Sequence, residues 1–164
     1  MRVFGIDPGT AATGYGVIEE NAGRLVLICF GTICTPAGMP LPHRLLELHG
    51  RLSELLALHA PDTAAVESLF FQKNVRTALS VGQARGAALL ALAEHGVPVS
   101  EYTPNEVKQA VTGYGGAEKR QVQTMVRTLL GMAEEPRPDD AADALAIAIC
   151  HANAWKINQL AEAG

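Results

Sequence analysis

Four acidic residues from three separate parts of the chain are the first candidates for chemistry: Asp7, Glu67, Asp140 and Asp143. Asp7 and Glu67 each end a short apolar run that is typical of a buried strand. Asp140 and Asp143 are three residues apart in an alanine-rich helical pattern, so both carboxylates lie on one helix face. With no histidine or cysteine cluster beside them, this all-oxygen set favours Mg²⁺, with Mn²⁺ as a substitute. Because two such ions per site can promote phosphodiester cleavage, the sequence predicts phosphoryl-transfer catalysis at these residues.

Two of these carboxylates, Asp7 and Asp140, also have a purely structural interpretation. Asp7 precedes a proline and a glycine and could cap its own backbone in a turn. Asp139 and Asp140 could form an acidic first helical turn that complements the helix dipole. That interpretation does not extend to Asp143, which lies inside an apolar run where an unpaired charge is costly. Asp139 is four residues from Asp143 and could join the site, although its place at the start of the helix suits a cap better.

The elements that would position these residues alternate between strand and helix patterns. Residues 1–35 predict three antiparallel strands in a meander, with a turn at 21–23. The following patterns predict a helix from Pro42 to His59, a strand at Thr63–Glu67, a helix from about Val75 to His95, a strand at Val97–Glu101, and further helices that begin near Thr103, Ala117 and Asp140. We therefore expect an α/β protein with a five-stranded mixed sheet, three antiparallel strands and then two parallel ones, flanked by helices.

Length and composition limit the possible classes of protein. With 164 residues, 48% of them hydrophobic and 18% charged, the chain suits a single domain over 1–164, and a disordered tail from about residue 156 is allowed for. No apolar run reaches the roughly 20 residues of a membrane span, and the N-terminus lacks the charge order of a signal peptide, so we expect a cytoplasmic protein. Cys29, Cys34 and Cys150 have no paired spacing and are expected to be buried, reduced thiols.

The net charge of −4 argues at first sight against nucleic acid as a partner. The charge is unevenly distributed, however. Between Ser68 and Arg127 there are seven lysines and arginines against four acidic residues, so this part of the chain carries +3. Two divalent ions held by clustered carboxylates would add +4 and bring the total charge to about zero. The charge therefore does not exclude a DNA-binding protein.

The helix predicted over about 75–95 carries small residues along one face. Ala78, Gly82 and Gly86 follow one another at intervals of four residues. Each glycine costs up to about 1 kcal/mol in a helix interior, so a packing role is expected for this face. Another helix could approach it closely, either within the chain or in a homodimer.

The chain closely resembles one family over nearly its whole length. The matching segments are Gly5-Ile-Asp-Pro-Gly-Thr10, Gly14-Tyr-Gly16, Glu67 with Phe70-Phe-Gln-Lys-Asn74, Gly82-Gln-Ala-Arg-Gly86, Val107-Lys-Gln109, Ala117-Glu-Lys119, Met125-Val-Arg-Thr-Leu-Leu130 and Asp140-Ala-Ala-Asp-Ala-Leu-Ala146. They resemble the crossover junction endodeoxyribonucleases of RuvC type, the bacterial Holliday-junction resolvases. The resemblance implies a ribonuclease-H-like fold, a homodimer packed through the long helix, and symmetric Mg²⁺-dependent nicking of four-way DNA junctions. It also assigns the metal ligands to Asp7, Glu67, Asp140 and Asp143, and so favours Asp140 over Asp139.

The same resemblance suggests which residues contact DNA. Phe70 would stack on an unpaired base at the junction centre. Four cationic side chains would contact the backbone near the cut: Lys73, Arg76, Lys108 and Lys119. Tyr114 and Arg120 depart from the family pattern, which leaves their DNA roles open, and His151 could approach the site. The family also implies the branch-migration proteins RuvA and RuvB as partners.

Two other functions stay open on the sequence alone. The turn after Asp7 also resembles the phosphate-binding loop of actin-like and sugar-kinase ATPases, but those enzymes need a second lobe for which 164 residues leave no room. The other alternative is a related resolvase-like nuclease, or a protein that binds junctions without cutting them. The four intact carboxylates disfavour a protein without cleavage activity.

Overall fold

The computed structural model describes residues 1–68 and 75–162, with 156–162 described in their backbone only. A five-stranded sheet with the order β3-β2-β1-β4-β5 forms the centre of the molecule. The strands are β1 Arg2–Asp7, β2 Ala12–Asn21, β3 Arg24–Cys34, β4 Thr63–Glu67 and β5 Val99–Tyr102. The helices are α1 Leu41–His59, α2 Val75–Glu94, α3 Pro104–Thr112, α4 Lys119–Leu129 and α5 Asp139–Glu162.

The strand pairing confirms the expected mixed sheet. Strands β1, β2 and β3 pair antiparallel, whereas β4 pairs parallel with both β1 and β5. The turn between β2 and β3 lies at Ala22 and Gly23, which both have a positive φ. The last strand begins two residues later than predicted, because Pro98 precedes it and cannot donate to the ladder.

The sheet separates two hydrophobic layers. Phe4, Ile6 and Val66 face α1 and α2, and Val3 and Ala65 face α3, α4 and α5. Since side chains alternate along a strand, Asp7 and Glu67 project to the same face as Val3 and Ala65, the face covered by α5. Parallel pairing of β1 with β4 sets Ile6 beside Val66, so the two acidic residues that follow them are neighbours at one edge of the sheet.

Glycines on β1 and β2 let helix α5 lie very close to the sheet. A Cβ atom added at Gly5 would overlap the carbonyl oxygen of Ala144, and one added at Gly14 would overlap the carbonyl oxygen of Asp140. Gly14 is also the cross-strand neighbour of Asp7. The missing side chains therefore bring the start of α5 directly against the strand end that carries Asp7.

Helix α3 begins as its sequence predicts. The Thr103 hydroxyl accepts from the backbone N–H of Glu106, and the Glu106 carboxylate accepts from the backbone N–H of Thr103. This capping box satisfies two N–H groups that the helix itself leaves without a partner.

One possibility that the sequence leaves open does not occur, and one expectation about the cysteines is wrong. His151 does not approach the acidic residues, because its ring is buried between Thr63 Oγ1 at 3.0 Å and Tyr102 Oη at 2.8 Å. Cys34 is exposed near the end of β3, so only Cys150 is fully buried, and all three cysteines are free thiols. None of the helices in the described part of the chain has both the length and the apolar character that crossing a membrane requires.

Candidate active site

Three carboxylates from two elements converge at the end of the central strand. One oxygen of each of Asp7, Asp140 and Asp143 lies within 4.8 Å of the corresponding oxygens of the other two. Asp7 ends β1, whereas Asp140 and Asp143 are one turn apart at the start of α5. Glu67 at the end of β4 is close enough for its charge to act on Asp7 and on Asp143. We call these four residues the acidic cluster.

The acidic cluster is poorly solvated and repels itself. Burial, as the largest cause, and repulsion by the other three carboxylates together raise the pKa of the Asp7 carboxyl from 3.8 to about 8. Burial also raises the pKa values of Glu67 and Asp143, and each of these shifts is opposed by Lys119. Without added positive charge, part of the cluster therefore holds protons near neutral pH.

The donor set of the acidic cluster suits divalent cations with oxygen ligands. It offers four carboxylates, and no histidine or cysteine of the described residues joins them. A bound cation would favour the ionised carboxylates that burial and repulsion disfavour. The residues therefore fit the metal site expected from the sequence.

Lys119 forms an ion pair with the acidic cluster. Its Nζ lies 3.1 Å from Asp143 Oδ2 and 3.3 Å from Asp139 Oδ2. Burial acts to lower the pKa of the ammonium group, but the two carboxylates outweigh it and the net pKa is raised. Lys119 is thus held fully charged at the first position of α4, beside Asp143.

Asp139 serves the contact between α4 and α5 instead of joining the acidic cluster. Its carboxylate accepts from Gln123 Nε2 at 3.0 Å and pairs with Lys119 and with Arg137. Hydrogen bonding by Lys119 and Gln123 lowers the pKa of this exposed carboxyl. The structure thereby distinguishes Asp139 from its neighbour Asp140 by their partners.

Two clefts border the acidic cluster. The first, of about 240 Å³, is lined by Glu67, Asp143, Lys108 and Lys119. The second, of about 440 Å³, includes Asp140 and lies between the β1–β2 connection and the first turns of α2; its other polar side chains are Thr10, Arg76, Thr77 and Ser80. An extended ligand could therefore reach the carboxylates from two directions.

Three of the predicted DNA contacts line the clefts beside the acidic cluster. Lys108 and Lys119 share the first cleft, and Arg76 borders the second. Tyr114 and Arg120 line a separate cleft of about 820 Å³ at the start of α4. The positions predicted for Phe70 and Lys73 lie outside the described residues.

The sequence did not predict that two hydroxyl groups meet in the second cleft. Thr10 and Ser80 are 70 residues apart, yet their side-chain oxygens are 2.7 Å from each other. Serine and threonine are common everywhere and carry no spacing pattern, so no sequence signal marks this pair. Only the folded chain shows that the β1–β2 connection and α2 meet at this cleft.

Fold and site together define the class of this protein. A ribonuclease-H-like sheet with carboxylates at the ends of its two central strands and on the crossing helix is the framework of a metal-dependent nuclease. The family model described as "Crossover junction endodeoxyribonuclease RuvC" matches residues 3–151. The chain belongs to the RuvC family of crossover junction endodeoxyribonucleases.

Individual relatives agree with this assignment. The crossover junction endodeoxyribonuclease RuvC of Chloroflexus aggregans is 66% identical over 152 residues, which are 93% of each chain. The Thermus thermophilus RuvC structure, solved in complex with a Holliday junction substrate, has a TM-score of 0.92 and 42% identity and covers 96% of both chains. The yeast mitochondrial resolvase Ydc2, at 14% identity, a TM-score of 0.62 and coverage of 92% of this chain and 78% of its own, shares the fold.

The raised pKa of Asp7 predicts how stability depends on pH when no metal is bound. Between the unfolded pKa of 3.8 and the folded pKa of about 8, the folded state binds the additional proton. Raising the pH through this range should therefore lower the free energy of unfolding, by at most about 1.4 kcal/mol per pH unit from this group. Urea unfolding in EDTA between pH 5 and pH 8 measures the slope.

Comparison with two variants isolates the contribution of Asp7. Asp7→Asn should be more stable than the unsubstituted protein at pH 8 in EDTA, and the difference should shrink towards pH 5. Glu54→Gln removes an exposed carboxylate on α1 and should leave the slope unchanged. Equal slopes for the unsubstituted protein and Asp7→Asn would show that Asp7 is not the titrating group.

Proposed function

We propose that this protein resolves four-way DNA junctions by paired, symmetric nicks that leave 5′-phosphate and 3′-hydroxyl ends. The observation that carries the proposal is the acidic cluster, which combines four carboxylates at the end of the central strands. The Thermus thermophilus relative was solved with a Holliday junction substrate, and the two chains superpose over 96% of their lengths. Junction DNA is therefore the proposed substrate, and the cytoplasm is the proposed place of action, in recombination and repair.

The carboxylates are the proposed ligands of Mg²⁺, two ions per site. When bound, such ions would activate water for in-line attack on the scissile phosphorus and stabilise the departing 3′ oxygen. Asp7, Glu67, Asp140 and Asp143 would hold them. Burial and repulsion make this cluster costly to ionise alone, which supports a role in binding cations.

Lys108 and Lys119 are the proposed contacts to the scissile strand. Both line the cleft that contains Glu67 and Asp143, so their ammonium groups can meet a phosphate that enters beside the carboxylates. Lysine and arginine contacts of this kind position the backbone without reading sequence. The carboxylates of Asp143 and Asp139 raise the pKa of Lys119, so its ammonium group is charged before DNA binds.

Three further residues are proposed to contact the junction. Phe70 would stack on an unpaired base there, an interaction that contributes about 1 to 3 kcal/mol per base. Lys73 and Arg76 would contact the backbone near the cut. Arg76 lies in the first turn of α2 and borders the Asp140 cleft, which supports its part of this proposal.

Paired nicks require two active sites, and an apolar face of α2 suits a homodimer. Val75, Leu79 and Leu90 are 82%, 63% and 54% exposed, and they share one helical face with Gly86. A Cβ atom added at Gly86 would meet no atom within 4 Å, so a partner helix could approach closely. Gly86 is one of the three small residues that predict this contact from the sequence. RuvA and RuvB would be further partners during branch migration.

Removing one ligand tests the catalytic proposal. Asp7→Asn should lower Mg²⁺-dependent cleavage of a mobile four-way junction by more than about 100-fold, because the neutral amide is a poor ligand for a divalent cation. Junction affinity in Ca²⁺ should change by less than about threefold. End-labelled strands on denaturing gels and gel-shift titrations give the two quantities.

The neighbouring carboxylate supplies the control. Asp139→Asn removes the charge next to Asp140 that is not a proposed metal ligand; Lys119 keeps its ion pair with Asp143, and the variant should retain cleavage within about fivefold. If the unsubstituted protein binds the junction in Mg²⁺ but leaves every strand intact, it is a binding protein and not a resolvase. Cleavage by Asp7→Asn at the unsubstituted rate would contradict the assigned metal site.

A charge on α2 tests the dimer. Leu90→Glu should convert the protein to a monomer, because the carboxylate would be buried without a partner in the interface. Leu129→Glu places the same charge on α4, which packs on the other side of the sheet, and should leave the oligomeric state unchanged. Light scattering coupled to size exclusion gives the masses. Equal masses for Leu90→Glu and the unsubstituted protein would exclude this face as the interface.

A further inference from the structure

The connection between β1 and β2, residues 8–11, directly follows Asp7. Its residues Gly9 and Thr10 form one wall of the cleft that contains Asp140. A shift of this connection would move the end of β1 relative to α5, and the Asp7 carboxylate with it. Whatever fixes the connection therefore also fixes the geometry of the acidic cluster.

Hydrogen bonds within the hairpin set the shape of the connection. The Thr13 hydroxyl donates to the carbonyl oxygen of Gly9 at 2.7 Å and accepts from its N–H at 3.2 Å. These bonds join residues four apart in the chain. They do not determine where the connection lies against the neighbouring helices.

Arg44 of α1 hydrogen-bonds to the connection. Its Nη2 donates to the Thr10 carbonyl oxygen at 3.0 Å, and its Nε donates to Thr35 Oγ1 at 2.8 Å. The Thr35 hydroxyl in turn donates to the same Thr10 carbonyl oxygen at 2.6 Å. Arginine, threonine and carbonyl group thus form a closed triangle of hydrogen bonds, two of which are charge-assisted.

Ser80 of α2 contacts the connection at the Thr10 side chain. Its Oγ lies 2.7 Å from Thr10 Oγ1. The carbonyl group of Thr10 is therefore fixed by α1 and its hydroxyl by α2. Thr10 is the point at which both helices reach the segment that follows Asp7.

Helix stability does not explain an arginine at position 44. It lies in the first turns of α1, where the helix dipole disfavours a cation, and the first turn contains no acidic residue. No carboxylate of the described residues pairs with Arg44. Arg51 on the same helix, by contrast, pairs with Glu47 at 3.2 Å. The polar partners that Arg44 has in the described structure are Thr10 and Thr35.

We propose that Arg44 is a positioning residue for cleavage: through Thr35 and the Thr10 carbonyl group it fixes the segment after Asp7 and thereby the acidic cluster. The inference rests on the proposed nuclease function. Catalytic groups must be held to within about 0.5 Å, and a misplacement of about 1 Å can lower a rate by about 100-fold. A rigid attachment 37 residues away in sequence can therefore affect the reaction without touching DNA or metal.

Three single variants, the double variant Arg44→Ala/Thr35→Val and one control test the proposal. Arg44→Ala removes both guanidinium bonds, Thr35→Val removes the bridging hydroxyl without changing charge, and Arg44→Lys keeps one donor. Arg51→Ala is the matched control, since it removes an arginine from the exposed side of the same helix. Single-turnover cleavage at saturating protein, junction affinity in Ca²⁺ and the Mg²⁺ midpoint are measured for each.

Arg44→Ala and Thr35→Val should each lower the saturating cleavage rate by about tenfold or more and raise the Mg²⁺ midpoint. Junction affinity should stay within about twofold, and the double variant should be no worse than Arg44→Ala, because both changes break one triangle. Arg44→Lys should recover part of the rate, and Arg51→Ala should behave as the unsubstituted protein. Hydrogen exchange over residues 8–12 of the metal-free protein should accelerate in Arg44→Ala and Thr35→Val.

Several results would overturn the proposal. Weaker junction binding by Arg44→Ala at an unchanged saturating rate would make Arg44 a DNA contact. An unchanged rate in Thr35→Val, or additive losses in the double variant, would show that the triangle does not act as a unit. If the unsubstituted protein cuts no junction, the proposed function fails, and unchanged hydrogen exchange in Arg44→Ala would separately refute the role of Arg44.

Discussion

Repulsion among four carboxylates in a partly buried space is the constraint on which the rest of the structure depends. Burial, and then repulsion by Glu67, Asp143 and Asp140, raises the pKa of Asp7 to about 8, so the charged form of this carboxyl is unfavourable without added positive charge. Packing of the fold must therefore bring these groups together against their repulsion, and cations must stabilise their ionised forms. Lys119 supplies one positive charge beside Asp143, and the donor set suits divalent ions for the remainder.

The fold forces the carboxylates together through features of the backbone. Parallel pairing of β1 with β4 aligns the strand ends that carry Asp7 and Glu67. Gly5 and Gly14 leave no side chain between the sheet and α5, so the helix carries Asp140 and Asp143 to the same edge. Helix α5 is buried along most of residues 141–152, and this apolar contact stabilises an arrangement that electrostatics alone would not. The hydrophobic core therefore supplies the free energy that holds the acidic cluster together.

Much of this could be predicted from the sequence, because the signals are local. Apolar runs that end in an acidic residue, a helical spacing of three between Asp140 and Asp143, and a threonine-proline helix start are each contained in a few residues. The sequence did not reveal the contacts between distant segments. The position of His151 between Thr63 and Tyr102 and the attachment of Arg44 to Thr10 depend on how β-strands and helices pack, and no spacing rule encodes them.

Divalent cations should take the place of protons in the acidic cluster. The number of protons released on metal binding tests this exchange most directly. Calorimetric titration of Mg²⁺ or Mn²⁺ into the metal-free protein, in buffers of different ionisation enthalpy, counts the protons released. With the pKa of Asp7 at about 8, binding at pH 7 should release roughly one proton per active site, and the number should fall towards zero above pH 9. Metal binding without proton release at pH 7, or equal release by Asp7→Asn, would contradict the account.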